Sequence, residues 1–190
     1  MVKAHNERCK KCKENIKNLL AATFDGVCLN WDIGLPAMLT DYSDTPIYAD
    51  IAPIYQALQK YRGHNEFVKT QKLPRVDFFV PDKKLIVEFD ESQHFTQPRE
   101  ISLSLYPDNK NFGFSVETWQ ARCQTLKKQD NDPPYRDEQR AWYDTLRDFA
   151  PILWRSGKII RLFSRDFVWC SLNPENESDM QTFMKIISND

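Results

Sequence analysis

Two short apolar segments separated by a polar turn constrain the fold of this chain more than any other feature. They cover residues 75–80 and 85–91, and the turn between them is Pro81-Asp82-Lys83-Lys84. Both segments are rich in Val, Ile and Phe, which favour strands, and a turn of this length is typical of a hairpin. The pattern therefore predicts two adjacent antiparallel strands.

The predicted register separates the side chains of this hairpin into two faces. Because successive side chains of a strand point to opposite faces, pairing Val80 with Leu85 places Asp77 opposite Glu88. The apolar face, expected to be the core face, carries Val76, Phe78, Val80, Leu85, Val87 and Phe89. The other face carries Arg75, Asp77, Phe79, Ile86, Glu88 and Asp90. Three carboxylates from two strands are thus expected at one end of the hairpin.

This group of carboxylates has two interpretations. Like charges that lie opposite each other destabilise a sheet. A divalent cation such as Mg²⁺ would compensate them, since it binds carboxylate oxygens and keeps several waters. Near a phosphate the same ion would activate a water molecule and stabilise the negative charge that develops. The other interpretation is a solvated sheet face on which Arg75 partners the acidic residues, and the hairpin alone leaves both open.

The rest of the chain alternates helical and strand-like patterns. Apolar residues spaced three and four apart predict helices over residues 6–23, 48–61, 116–128, 136–149 and 176–188, with a short helix beginning at Pro151. Further strands are predicted over residues 66–70, 158–163 and 167–170, and irregular segments over residues 28–45 and after Phe95. The sum is an α/β fold with a small central mixed β-sheet flanked by α-helices. We expect a single domain over residues 1–190, with an N-terminal helical part (1–63), a core (66–170) and a C-terminal helix (176–188).

Composition limits the class of protein but does not identify a partner. Of the 190 residues, 41% are apolar, which favours a folded chain over a disordered one. The net charge of -1 is uninformative, because a nucleic-acid-binding surface needs only local basic patches. No segment is long and apolar enough to span a bilayer, and the N-terminus lacks the apolar run of a secretory signal. We therefore expect no membrane contact and a cytoplasmic location.

The five cysteines are typical of reduced thiols, because no secretory signal precedes them. Cys9 and Cys12 form half of a zinc-binding signature, and His5 and Cys28 could in principle complete a four-ligand site. No second pair with this spacing follows, and the segment is predicted to be one helix. A structural zinc ion is therefore not expected.

The hairpin belongs to a longer pattern. Gln93 and His94 follow it, and a helix over residues 137–146 later leads to Gly157-Lys158-Ile159-Ile160-Arg161-Leu162. Over residues 73–169 this order resembles the core of the PD-(D/E)XK nucleases, and it is most similar to the branch around very-short-patch-repair endonucleases. The resemblance implies a restriction-endonuclease-like fold. It also implies a metal-dependent DNA endonuclease of restriction or repair type that hydrolyses phosphodiester bonds.

The resemblance further implies roles for residues of the hairpin. Asp77 is similar in position to the metal-binding aspartate of the family, and Glu88 to the acidic residue of the (D/E)XK triplet. The backbone carbonyl of Phe89 would be a further metal ligand. Asp90 stands where the standard pattern has a lysine, although the similar branch also has an aspartate there. The general base is therefore not identified by the motif.

Three further residues complete the candidate site. His94 resembles the downstream histidine of the family and could be a base, a ligand or a group that orients the scissile phosphate. Gln93 beside it is a weaker catalytic candidate. Glu14 of the first helix is the candidate for an additional acidic ligand, against the alternative of a plain surface glutamate. The implied cofactor is Mg²⁺, for which Mn²⁺ could substitute, and no organic cofactor is implied.

The implied partner is double-stranded DNA. The residues expected to contact it are Arg75, Arg161, Arg99, Lys127 and Lys128. Cutting both strands would favour a homodimer. The alternative is a catalytically inactive nuclease-fold protein that binds DNA or a partner protein, and the missing lysine keeps this alternative open.

Overall fold

The computed structural model describes residues 6, 7 and 9–188 of the chain. In this part of the chain it is an α/β fold in which a four-stranded mixed sheet is flanked by six α-helices. The strands are β1 (Cys28–Trp31), β2 (Val76–Val80), β3 (Leu85–Asp90) and β4 (Lys158–Phe163). The helices are α1 (Lys10–Ala21), α2 (Tyr48–Arg62), α3 (Gln97–Leu103), α4 (Val116–Leu126), α5 (Arg136–Trp154) and α6 (Glu177–Ser188). None of these helices combines the length and the apolar character that crossing a membrane requires.

The sheet order is β1–β2–β3–β4. The first three strands pair antiparallel, and β3 and β4 pair in parallel. The predicted hairpin register is confirmed, since Phe78 pairs with Val87 and Val80 pairs with Leu85. The predicted last strand over residues 158–163 is also confirmed. Both predictions depended on runs of β-branched and aromatic residues bounded by turn residues, which are local signals.

Both faces of the sheet are covered, which corrects the expectation of one apolar core face and one half-polar face. Phe78 and Val87 belong to one core cluster, which also contains buried residues of α1 and α6. Phe79 and Ile86 belong to a second cluster, which contains residues of α2 and α5. Every residue of β3 is buried. The acidic residues of β3 therefore lie beneath a layer of helices and not on a solvated face.

Helix α5 supplies much of that layer and is longer than predicted. The sequence predicted an end near residue 149 and a separate short helix beginning at Pro151, but α5 continues through Pro151 to Trp154. A proline within a helix removes one backbone hydrogen bond and usually kinks or ends the helix, which is why the sequence predicted a break before Pro151. The chain then turns at Gly157 (φ 85°), where a Cβ would lie 2.3 Å from the carbonyl oxygen of Lys84. This close approach connects the end of α5 to the hairpin.

Four other predictions were wrong for physical reasons. Residues 66–70 form no strand, and residues 167–170 contain a 3-10 turn at Trp169–Ser171 instead of one. Strand β1 was missed because it is an exposed edge strand without alternating burial. Helix α3 was missed because its seven residues are too few to show a helical period. Its start is nonetheless signalled by Thr96, whose hydroxyl accepts a hydrogen bond from the Arg99 N–H.

Candidate active site

Strands β2 and β3 stop pairing as a regular ladder just beyond Phe78 and Val87. In the next positions, side chains replace the backbone acceptors. The N–H of Asp77 donates to Oε1 of Glu88 at 3.3 Å, and the N–H of Phe89 donates to Oδ2 of Asp77 at 2.9 Å. The structure therefore brings Asp77 and Glu88 together at the open end of the hairpin, where the sequence placed them.

Lys13 of α1 reaches this open end. Its Nζ lies 2.7 Å from Oδ1 of Asp77 and 5.9 Å from the centre of the Phe89 ring. The side chains of Lys13 and Asp77 are 39% and 19% exposed, so this pair is accessible to solvent. We call Lys13, Asp77 and Glu88 the open-end site.

Lys13 was missed by sequence reasoning, which named its neighbour Glu14. Glu14 lies on the exposed side of α1. A signal for Lys13 did exist, because it precedes the buried residues Ile16 and Leu20 by three and seven positions and so shares their helix face. A lysine in that row borders the sheet, whereas the next residue is rotated toward solvent.

Glu88 is the buried member of the open-end site. Its pKa is raised to about 7, because burial and the nearby charge of Asp77 together outweigh the opposing charge of Arg147. Among the described residues its nearest donors are distant, with the Asp77 N–H at 3.3 Å and Nε of Arg147 at 3.5 Å. That Nε atom is itself buried without a hydrogen-bond partner in the described part of the chain. The Glu88 carboxylate therefore keeps lone pairs that no short hydrogen bond uses.

Asp90 does not join the open-end site, which corrects the expected cluster of three carboxylates. It accepts hydrogen bonds from NH1 of Arg161 at 2.7 Å and from Nε1 of Trp119 at 2.7 Å. Burial would raise the pKa of Asp90, but Arg161 and His94 outweigh it and hold this pKa below its usual value. Among residues 6, 7 and 9–188, only one group of three His, Cys, Asp or Glu side chains has ligand atoms that all lie within 4.8 Å of one another. This group consists of cysteines and contains no carboxylate.

Asp90 belongs instead to a network of buried charges behind the site. Strand β4 places Arg161 beside Glu88, where its Nε donates to Oδ1 of Asp148 at 2.7 Å. Its NH2 lies 3.4 Å from Oδ1 of Asp144. NH2 of Arg99 donates to the other oxygen of Asp148 at 2.6 Å. We call this the buried ion network, and its members are Asp90, Arg99, Asp144, Asp148 and Arg161.

This network changes the expected role of two arginines. Arg161 and Arg99 were expected to contact DNA, but their side chains are 0% and 1% exposed and both are ion-paired. Neither guanidinium is accessible to a phosphate. Asp144 and Asp148 of α5 were missed by sequence reasoning, although their spacing of four positions indicates a shared helix face. Two acidic residues on one face of a predicted amphipathic helix were the available signal that buried basic residues pair with them.

His94 connects the buried ion network to the surface. Its Nδ1 lies 2.9 Å from Oδ2 of Asp144 and 3.6 Å from Oδ1 of Asp90, and the side chain is 18% exposed. Burial lowers the pKa of His94, but the two carboxylates outweigh this effect and the pKa is raised. The protonated form is therefore favoured. Gln93 is less suited to catalysis, because its side-chain amide donates to Glu91 at 3.1 Å.

The remaining basic candidates are at the surface. Arg75, Lys127 and Lys128 are exposed. The N–H of Lys128 donates to the carbonyl of Phe95 at 3.0 Å, which anchors the end of α4 to the loop after β3. Lys127 and Lys128 line a cleft of about 390 Å³. These three residues are therefore available to an anionic ligand.

Comparisons with known proteins identify no relative of this chain. No family model, no curated protein and no solved structure matches it. What the site can do therefore follows from its own residues. Two carboxylates from adjacent strands and a partly exposed ammonium meet at the open-end site, and His94 lies beside two further carboxylates, Asp90 and Asp144.

Proposed function

We propose that this chain is a Mg²⁺-dependent DNA endonuclease that hydrolyses phosphodiester bonds at the open-end site. The observation that supports this most directly is the contact of Asp77 and Glu88 across the end of the hairpin, with Lys13 at 2.7 Å from Asp77. The hairpin followed by a parallel strand and flanked by helices is also consistent with a restriction-endonuclease-like fold. Restriction and repair roles both fit this chemistry.

The donor set fits a hard divalent cation. Mg²⁺ binds carboxylate and carbonyl oxygens and keeps several waters. Asp77 is partly exposed, so waters have access, and the Glu88 carboxylate has unused lone pairs. The carbonyl of Phe89 points toward β2, because a strand residue directs its N–H and C=O toward the same neighbour. When bound, Mg²⁺ or Mn²⁺ would activate a water molecule and offset the negative charge that develops on the phosphate.

Lys13 supplies the positive charge that the standard motif obtains from a lysine at the position of Asp90. Its side chain is long and 39% exposed, so its ammonium can move from Asp77 to a phosphate oxygen or to the attacking water at small cost. Asp90 cannot do this, because it is 1% exposed and bound by Arg161. A lysine beside the carboxylates would hold the attacking water and stabilise the reacting phosphate.

His94 is the proposed second phosphate-binding group. Asp144 binds Nδ1, which fixes the orientation of the ring and leaves Nε2 as the nitrogen that this carboxylate does not use. The neighbouring carboxylates of Asp144 and Asp90 raise the pKa of His94 and so stabilise the cationic form of its ring. It would bind a phosphate oxygen or donate a proton to the leaving oxygen.

The test is cleavage of supercoiled plasmid DNA in the presence of Mg²⁺. We expect Asp77→Ala to lose at least about 100-fold in rate, since it removes a metal ligand. The control is Asp82→Ala, because Asp82 is an exposed acid in the turn at the opposite end of the same hairpin. Cleavage that persists in Asp77→Ala, or in wild-type protein with EDTA, would overturn the proposal.

The second candidate is a nuclease-fold protein that binds DNA or a partner protein without cleaving. It is favoured by one observation, namely that both oxygens of the Asp77 carboxylate already accept hydrogen bonds, from Lys13 and from the Phe89 N–H. This candidate predicts DNA or protein binding that Glu88→Ala does not weaken, with no turnover under any divalent ion. Mg²⁺-dependent turnover would exclude it.

A further inference from the structure

Three cysteines distant in sequence meet on the side of the sheet covered by α1. Cys9 and Cys12 lie at the start of α1, and Cys170 lies in the 3-10 turn Trp169–Ser171 that follows β4. Their Sγ atoms lie within 4.8 Å of one another. Cys12 is buried, and the other two are half-buried. We call these three residues the cysteine cluster.

The fold holds the two parts of the cluster together through other contacts. The side-chain amide of Asn15, one turn further along α1, donates to the backbone carbonyls of Trp169 and Leu172 at 2.7 Å each. These bonds fix the 3-10 turn against the first turns of α1. Cys170 therefore faces Cys9 and Cys12 because of the surrounding backbone, and not through an incidental surface contact.

The geometry suits a tetrahedral metal. A Zn–S bond of about 2.3 Å and tetrahedral angles require sulfur atoms about 3.8 Å apart. The Sγ atoms of the cluster lie within 4.8 Å of one another, so a small rotation of the side chains would bring them to that separation. Cys9 and Cys12 are separated by two intervening residues, which is also the spacing with which zinc sites take two ligands from one turn.

The cluster differs from the four residues that the sequence suggested. Cys28 lies at the start of β1, where it packs against the other core cluster and its thiol donates to the Gly26 carbonyl at 3.4 Å. Cys170 takes its place. His5 lies outside the described residues. Zinc was not expected because no second cysteine pair follows in the sequence and because the segment was predicted to be one helix. Cys170 supplies a ligand from elsewhere in the chain, so no second pair is needed, and Cys9 and Cys12 both lie at the start of that helix.

We propose that Cys9, Cys12 and Cys170 bind one Zn²⁺ through three thiolates, with a fourth ligand from outside the cluster. The ion joins the first turn of α1 to the turn after β4 and so cross-links two distant segments that no disulfide joins. Soft thiolate ligands select Zn²⁺ over the hard Mg²⁺ of the open-end site. If the proposed nuclease function holds, the ion also positions Lys13, which follows Cys12 directly.

The first experiment measures the metal content of the full chain purified without chelator. We expect about one zinc per chain in the wild type, and metal at background in Cys9→Ser and Cys170→Ser. The matched control is Cys28→Ser, which changes a half-buried cysteine outside the cluster and is expected to keep its zinc. Wild-type protein without zinc, or zinc retained in both cluster variants, would overturn the proposal.

A second measurement avoids the risk that the variants fail to fold. Wild-type protein is stripped of metal with a chelator under reducing conditions and then titrated with Co²⁺, which gives an intense near-ultraviolet charge-transfer band when bound by thiolates. We expect this band to saturate at about one equivalent and Zn²⁺ to abolish it. The absence of the band from the reduced protein would overturn the proposal. Asp77→Ala is expected to keep its zinc, so this site and the nuclease function can fail separately.

Discussion

The open-end site and the buried ion network use acidic residues only two positions apart on one strand, in opposite ways. Glu88 has no short hydrogen bond among the described residues, and its pKa is raised to about 7. Asp90 accepts short hydrogen bonds from Arg161 and Trp119, and its pKa is lowered. A buried carboxylate that is fully compensated stabilises one conformation, whereas an uncompensated one is available to a cation. The difference separates a structural group from a candidate catalytic one.

The largest expected effect is on the buried ion network. Arg161→Ala removes the partner of Asp90 and Asp148 and leaves buried carboxylates without compensation. We expect the free energy of unfolding to fall by about 3–5 kcal/mol, measured by urea denaturation. The control is the exposed Arg75→Ala, for which we expect a change within about 0.5 kcal/mol. Equal effects of the two variants would mean that burial does not distinguish these arginines.

The second effect concerns Lys13 at the open-end site. Lys13→Met removes the ammonium near Asp77, and we expect the rate of DNA cleavage to fall by about 100-fold. The free energy of unfolding should change by less than about 1 kcal/mol, because the ion pair is partly exposed and solvent weakens it. Lys17→Met, an exposed lysine one turn further along α1, is the control. If Lys13→Met lost stability in proportion to its loss of activity, Lys13 would have a structural role and not a catalytic one.

The third effect is a pH dependence of stability caused by Glu88. Its folded pKa of about 7 lies above its ordinary value of 4.5, so the folded state holds the proton more tightly than the unfolded state. Stability from this group is present below pH 4.5 and is lost as the pH rises through 7, with a slope of up to about 1.4 kcal/mol per pH unit. Urea unfolding of Glu88→Gln between these pH values should show a flatter profile than wild type.

His94 has the same sign of pH dependence but a different window. Its folded pKa is raised, so its contribution is present below its ordinary pKa of 6.5 and is lost as the pH rises through the folded value. Well below pH 6.5 His94 is protonated in both states and adds no slope, so the difference between wild type and Glu88→Gln there reports Glu88. If Mg²⁺ binds at Glu88, it should lower that pKa and flatten the wild-type profile. An identical profile for wild type and Glu88→Gln would contradict the assignment.

The smallest effect concerns the surface lysines near the loop after β3. Lys127→Gln and Lys128→Gln should weaken DNA binding a few-fold without changing the unfolding free energy, because both side chains are exposed. Each lost phosphate contact should reduce the slope of log affinity against log salt by about 0.9. Fluorescence anisotropy over a range of salt concentrations measures both quantities. Lys185→Gln on α6 is the control, and an equal loss there would mean nonspecific attraction.

Much of the fold could be predicted from local pattern. The alternation over residues 75–91 predicted the register of β2 and β3, and the spacing of apolar residues predicted where five of the helices lie, although α5 extends past its predicted end. The edge strand β1 and the short helix α3 could not be predicted in this way, since neither is long enough or buried regularly enough to carry a period. The register was sufficient to place Asp77 beside Glu88.

By itself the sequence determined which side chains of the hairpin share a face, because pleating alternates them within a few residues. Tertiary structure decided what those side chains contact. The approach of Lys13 to Asp77, the burial of Arg161 against Asp90 and the approach of Cys170 to Cys9 all join residues far apart in the chain. Such contacts depend on how helices pack over the sheet, and no local period encodes that packing.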